Sequence, residues 1–168
     1  MAVISAANLN WYLSGGAENA DPAASLGGVI SSTEVDPATI FDAVSGAEAL
    51  AGDVEYRCVF FKNIDANAGG LQSAVIWIET QTAGADSVKI ALDAAGETAT
   101  ADTVATESAA PDPALTFAAC ANKGAGLSLG TLHENDYYGV WIERTVPAEC
   151  AAANDNSFVL KVEGDSGA

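Results

Sequence analysis

The chain has 168 residues and a formal net charge of −17, from 23 acidic and six basic side chains, with a single histidine, His133. That balance argues against nucleic acid and anionic membranes as partners, because phosphate recognition needs clustered Lys and Arg. The lone His removes the commonest general base and metal ligand from all but one position. A chain of this length buries roughly 70% of its unfolded surface, so one domain needs no covalent staple. No run of about 18 apolar residues marks a membrane span. The start, Met1-Ala-Val-Ile-Ser, lacks the basic and apolar regions of a signal peptide. Cys58, Cys120 and Cys150, an odd number without a signal peptide, are expected as reduced thiols after cytosolic synthesis. Cys58 reads as a core residue, whereas Cys120 and Cys150 lie in Ala-rich connections and can pair only in oxidising surroundings.

Asn8 to Leu13 predicts a first strand. Residues 14–28 then hold four glycines and Asp21-Pro22, a turn-rich stretch. Only 36–50 looks helical. Asp36 suits an N-cap, Pro37 the first helical position, and Ile40, Phe41 and Val44 one apolar stripe that Gly46 ends. Residues 54–63 are β-branched and aromatic, and apolar on both faces at their centre, which suits a central strand. Residues 74–80 look the same. Residues 87–92 alternate, with Val88, Ile90 and Leu92 on one face and Ser87 and Lys89 on the other. Residues 65–70 and 94–113 are turn-rich. Leu115-Thr-Phe117 is a short candidate strand, 137–145 a strong one, and 157–163 alternates again.

About seven short strands and one short helix near 37–45 predict an all-β antiparallel β-sandwich, Ig-like or jelly-roll. The pieces Val75-Ile-Trp-Ile-Glu79 and Gly139-Val-Trp-Ile-Glu143 are alike, but their flanks differ, so they read as shared strand chemistry.

Motifs for chemistry are sparse. Gly126-Leu-Ser128-Leu-Gly130 matches the nucleophile-elbow pattern, which requires a strand, turn and helix with a distant His; here a glycine-rich loop is the better reading. His133 sits in a polar turn without further imidazole or thiolate ligands nearby. Asp65-Ala-Asn67 and Asn154-Asp-Asn156 offer oxygens for Ca²⁺ but match no EF-hand loop, and read as Asx-rich turns. No carboxylate pair is singled out for glycosidase chemistry. Trp11, Trp77 and Trp141 with Tyr12, Tyr137 and Tyr138 can line a sugar site but at strand spacing read as core or interface. No catalytic, cofactor-binding or metal residue is therefore assigned, and the chain is not read as an enzyme.

The segments Asn10-Trp-Tyr-Leu-Ser-Gly-Gly-Ala, Asn19-Ala-Asp-Pro-Ala-Ala-Ser-Leu-Gly-Gly28, Ile30-Ser-Ser-Thr, Ile40-Phe-Asp-Ala-Val-Ser-Gly-Ala-Glu and Gly52-Asp-Val-Glu-Tyr-Arg-Cys-Val-Phe-Phe-Lys-Asn63 form one series. The series resembles small virion structural proteins of tailed bacteriophages, and the likeness runs on through Trp77 to Ala91–Gly96. The resemblance implies a virion protein assembled in the host cytoplasm, without catalytic residues. Its implied partners are the major capsid protein, or tail and baseplate proteins, with further copies of itself in the particle. A capsid decoration (cement) protein leads; a tail adaptor or fibre-associated protein is the alternative, and a carbohydrate-binding or hydrolytic β-sandwich the reading from another class. Residues 1–35 are then expected as an extended N-terminal arm with the first strand, and 36–168 as the β-sandwich domain.

Overall fold

Strand β8, Tyr137–Val146, is apolar on both faces and sits inside a sheet, as its sequence predicts. It pairs antiparallel with β3, Asp53–Asn63, on one side and β5, Ser87–Glu97, on the other. β1, Leu9–Leu13, completes this four-stranded sheet in the order β1-β3-β8-β5. A three-stranded antiparallel sheet, β7-β4-β9, is built from β4, Leu71–Gln81, β7, Leu127–Leu132, and β9, Phe158–Ser166. A short ribbon pairs β2, Gly27–Gly28, with β6, Ala101–Thr103. These features come from a computed structural model that describes residues 3–82, 84–151 and 157–166.

The two larger sheets face each other across the main core, as in the predicted antiparallel sandwich. Val59, Phe61, Val88, Ile90, Val140 and Ile142 come from the four-stranded sheet; Ile76, Ile78, Leu129, Leu132 and Phe158 come from the other. Alternation sends Cys58, Phe60 and Trp141 to the opposite face of the larger sheet. That face is also covered, by Ala101, Val104, Leu26, Ile30 and Phe117. Asp93 anchors this cover. Its buried carboxylate accepts from Trp141 Nε1 at 2.8 Å, from the Asp102 amide at 3.0 Å and from the Ala95 amide at 2.9 Å. Trp77 and Trp141 occupy like positions, each on an interior strand paired on both sides, which accounts for their similar sequence frames. Glu79 and Glu143 in those frames each hold a lysine of an adjacent strand, Lys161 and Lys89.

The structure differs from the sequence reading in four places. Asp36 does cap and Pro37 does start a turn, but it is a 3-10 turn of Pro37–Thr39 that closes at Ile40. The α-helix, α1, follows at Gly46–Ala51, so Gly46 begins it. Ser45 and Glu48 form a reciprocal capping box there, and Ile40 is buried in the main core. Gly126 to Gly130, read as a glycine-rich loop, lies mostly in the strand Leu127–Leu132, because Leu129 and Leu132 fill the core while Gly130 takes φ +77° at a register shift. Leu115-Thr-Phe117 is no strand; only Ala118 bridges, to Ile90. Finally, residues 9–35 are packed into the sandwich. Leu13 is 1% exposed, Ser14 donates to Cys58 O at 2.8 Å, and Cys58 donates its amide to Ser25 O. A boundary at residue 35 therefore has no counterpart in the packing.

Cys58, Cys120 and Cys150 are free thiols in three separate apolar clusters, so Cys120 and Cys150 are not joined. Burial pushes the Cys58 and Cys120 thiols up, away from the reactive thiolate.

Gly27 has φ +91°, and a Cβ there would lie 1.7 Å from Asp102 O and 2.9 Å from the Trp141 ring. Gly27→Ala should therefore lower the unfolding free energy by well over about 1 kcal/mol in urea titration. Gly16→Ala, also at positive φ (+112°) but facing open space, should cost only the backbone part. Equal costs would contradict the close approach of β2 to the larger sheet.

Candidate functional site

Strand parity places three charged side chains where apolar ones are expected. Glu55 and Arg57 share the inward face of β3 with Val59 and Phe61, and Arg144 shares that of β8 with Val140 and Ile142. All three are buried, at 1%, 2% and 6% exposure. Buried charge requires pairing, and it is paired here. Arg144 Nε donates to Glu55 Oε2 at 2.6 Å, and its Nη2 also meets that oxygen. Its Nη1 donates to Asp42 O at 2.6 Å. Arg57 Nη2 pairs with Glu107, and its Nη1 donates to Tyr56 O at 3.2 Å. Both guanidinium groups lie against the Phe41 ring, with the Arg144 and Arg57 Cζ atoms 4.7 Å and 5.7 Å from its centroid. Arg57 Nε has no hydrogen-bond partner although it is buried. Burial raises the Glu55 carboxyl above its ordinary value, and the pull of the Arg144 charge only partly offsets this.

A groove of about 430 Å³ opens beside this cluster. Its walls come from four parts of the chain: Asp21, Pro22 and Ala23; Thr39 to Asp42; Arg57; and Glu107. It exists because β1 stops at Leu13, opposite Val59. Beyond that point two loops take up the edge of β3. Cys58 donates its amide to Ser25 O at 2.9 Å, and Tyr56 donates its amide to Glu107 O at 2.7 Å. Asp36 and Asp21 cap the 3-10 turns Pro37–Thr39 and Pro22–Ala24 that carry two of the walls. The groove holds three carboxylates and one guanidinium, the latter already paired. Its chemistry suits a cation with an apolar stem better than an anion.

The residues weighed in the sequence lie elsewhere. Ser128 is exposed on the edge strand β7, with no strand–turn–helix around it. His133 is exposed in the turn before β8 and donates its amide to Asp136 Oδ2 at 2.7 Å. Near it, the Glu97 carboxyl is raised by burial and by its hydrogen bond with Asp136. Asp65 and Asn67 form successive Asx turns: Asp65 accepts from Ser5, Asn8 and Asn67, and Asn67 accepts from the Gly69 amide. Asn154-Asp-Asn156 lies outside the described residues. Glu48, Asp53 and Glu55 bring carboxylate oxygens within 4.8 Å of one another, but Glu55 is already paired with Arg144. The aromatic residues split between faces: Trp11 packs on Phe61 toward the main core, while Trp141, Tyr12 and Tyr137 belong to the outer cluster. They form no shared platform. Sequence reasoning missed Glu55, Arg57 and Arg144, although charges at inward parity in apolar strands were a usable signal.

Compared with protein-family models, curated proteins and solved structures, the chain matches none of them.

A carboxyl raised on folding binds its proton more tightly folded than unfolded. Its contribution to stability is therefore greatest at low pH and falls as pH rises from the ordinary value of 4.5 through the higher folded value. Glu55→Gln does not titrate and should lack this fall. The stability of the native chain relative to the variant should drop across that window, by about 1.4 kcal/mol for each pH unit the carboxyl is raised. Urea titrations of both from pH 4 to 8 check it; a difference that grows in favour of the native chain with pH would mean that the ion pair outweighs burial.

Proposed function

We propose that this chain is a non-enzymatic structural protein of a tailed-phage virion, a decoration protein that sits on the major capsid lattice. The observation that carries the reading is the distribution of charge. Five of the six basic side chains are paired within the chain: Arg57 with Glu107, Lys89 with Glu143, Lys123 with Glu163, Arg144 with Glu55 and Asp42, and Lys161 with Glu79. Among the described residues, Lys62 alone has no such ion pair. The exterior offers many carboxylates and almost no uncommitted cation. Such a surface keeps large particles apart by like-charge repulsion and docks on a basic patch. The all-β sandwich and the resemblance of residues 10–96 to virion proteins support the same reading.

The test is a quantitative protein profile of purified particles. A decoration protein should be present at a copy number comparable to that of the major capsid protein, and raised salt should release it, since added salt shortens the Debye length from about 8 Å at physiological ionic strength and weakens exposed charge pairs. A few copies per particle would move the protein to the tail. Absence from particles would contradict the reading altogether.

A further inference from the structure

We propose that the groove between Asp21–Ala23 and Thr39–Asp42 receives a lysine or arginine side chain from an extended segment of a protein partner. The inference deepens the virion reading and rests on it only for the identity of that partner, the capsid lattice protein.

Three observations converge on the groove. The first is its lining. Pro22, Ala23, Ile40 and Phe41 offer apolar surface for the methylene stem of a long basic side chain, while Asp21, Asp42 and Glu107 offer carboxylates to its charged head. The second is the charge around it. With Arg57 and Arg144 committed to Glu107 and Glu55, the exposed Asp42 carboxylate keeps only a 3.5 Å contact to Arg144 Nη2. An incoming ammonium or guanidinium would improve on that contact, whereas an anion would meet net negative charge. The third is the unpartnered Nε–H of Arg57, whose side chain is 3% exposed in the wall of the groove. A buried donor without an acceptor destabilises the site that holds it. A backbone carbonyl of an extended segment lying in the groove would supply that acceptor. One basic residue thus satisfies the site twice, by its head and by its own or a neighbouring carbonyl.

The test uses the full chain, labelled with ¹⁵N, and three capped peptides: acetyl-Ala-Arg-Ala-amide, its lysine counterpart and its norleucine counterpart. The basic peptides should shift the amides of residues 21–23 and 39–42 and the Arg57 Nε–H signal, and norleucine should not. Asp42→Asn should weaken binding roughly two- to five-fold, the range for one partly exposed ion pair. The variant should fold, because Arg144 donates its shorter bond to the Asp42 backbone carbonyl. Glu134→Gln makes the same charge change in the turn before β8 and should leave binding nearly unchanged. Thr39→Lys, which sets a competing ammonium on the rim, should abolish the shifts. Shifts spread over the whole acidic surface, or equal losses in Asp42→Asn and Glu134→Gln, would overturn the proposal. Binding in the groove by a protein absent from particles would sink the virion reading and leave this site standing. A particle protein whose groove ignores the basic peptides would sink this site alone.

Discussion

The four-stranded sheet is apolar on both faces, and the rest of the structure depends on that. A sheet with one apolar face needs one cover; this one needs two. The β7-β4-β9 sheet covers Val59, Phe61, Val140 and Ile142. The opposite face carries Cys58, Phe60 and Trp141, two of them bulky aromatics, and at roughly 25 cal/mol per Å² their exposure would be costly. Residues 14–35 and 98–118 supply the second cover. They are therefore part of the fold, held by the Asp93 carboxylate and by main-chain bonds from Tyr56 and Cys58.

The same constraint makes the groove. A full-length β1 would have paired with β3 along its whole edge and left no recess. Because β1 ends at Leu13, two covering loops reach the vacated edge and bring Asp21 and Glu107 into the groove that Arg57 lines. Glu55, Arg57 and Arg144 then occupy inward positions at the end of the sandwich core. They are paired with one another or with groove-lining acids, so the polar end of the core is continuous with the wall of the groove.

Much of this was legible in the sequence. The strands β1, β3, β4, β5, β8 and β9 follow from β-branched and aromatic runs and from alternation, and the two Trp-Ile-Glu frames mark middle strands. What was not legible depends on contacts distant in sequence. Leu127–Leu132 becomes a strand only because β4 is there to pair with it; Gly130 within it and Gly126 before it point locally to a loop. β2 and β6 are too short to show periodicity. The helix shifted to Gly46 because the Ser45–Glu48 capping box outweighs the Asp36-Pro37 start, which stops after one turn. Residues 14–35 read as an arm because their glycines and small residues give no sign of the face they cover. The buried ion cluster was visible in principle, since the parity that sends Val59 and Ile142 inward also sends Arg57 and Arg144 there.

The proposed role on a particle draws on these features together: a β core covered on both faces of its larger sheet, five of six cations committed within the chain, and outward carboxylates, three of which line a groove. All of it requires that the covering loops belong to the folded core. Amide hydrogen exchange at Tyr56 and Cys58 tests this most directly, because their N–H groups bond only to Glu107 O and Ser25 O in those loops. The account predicts that both exchange as slowly as the β3–β8 ladder amides, through global unfolding. Fast exchange at both, with the ladder still protected, would show loops that lift off on their own and would contradict it.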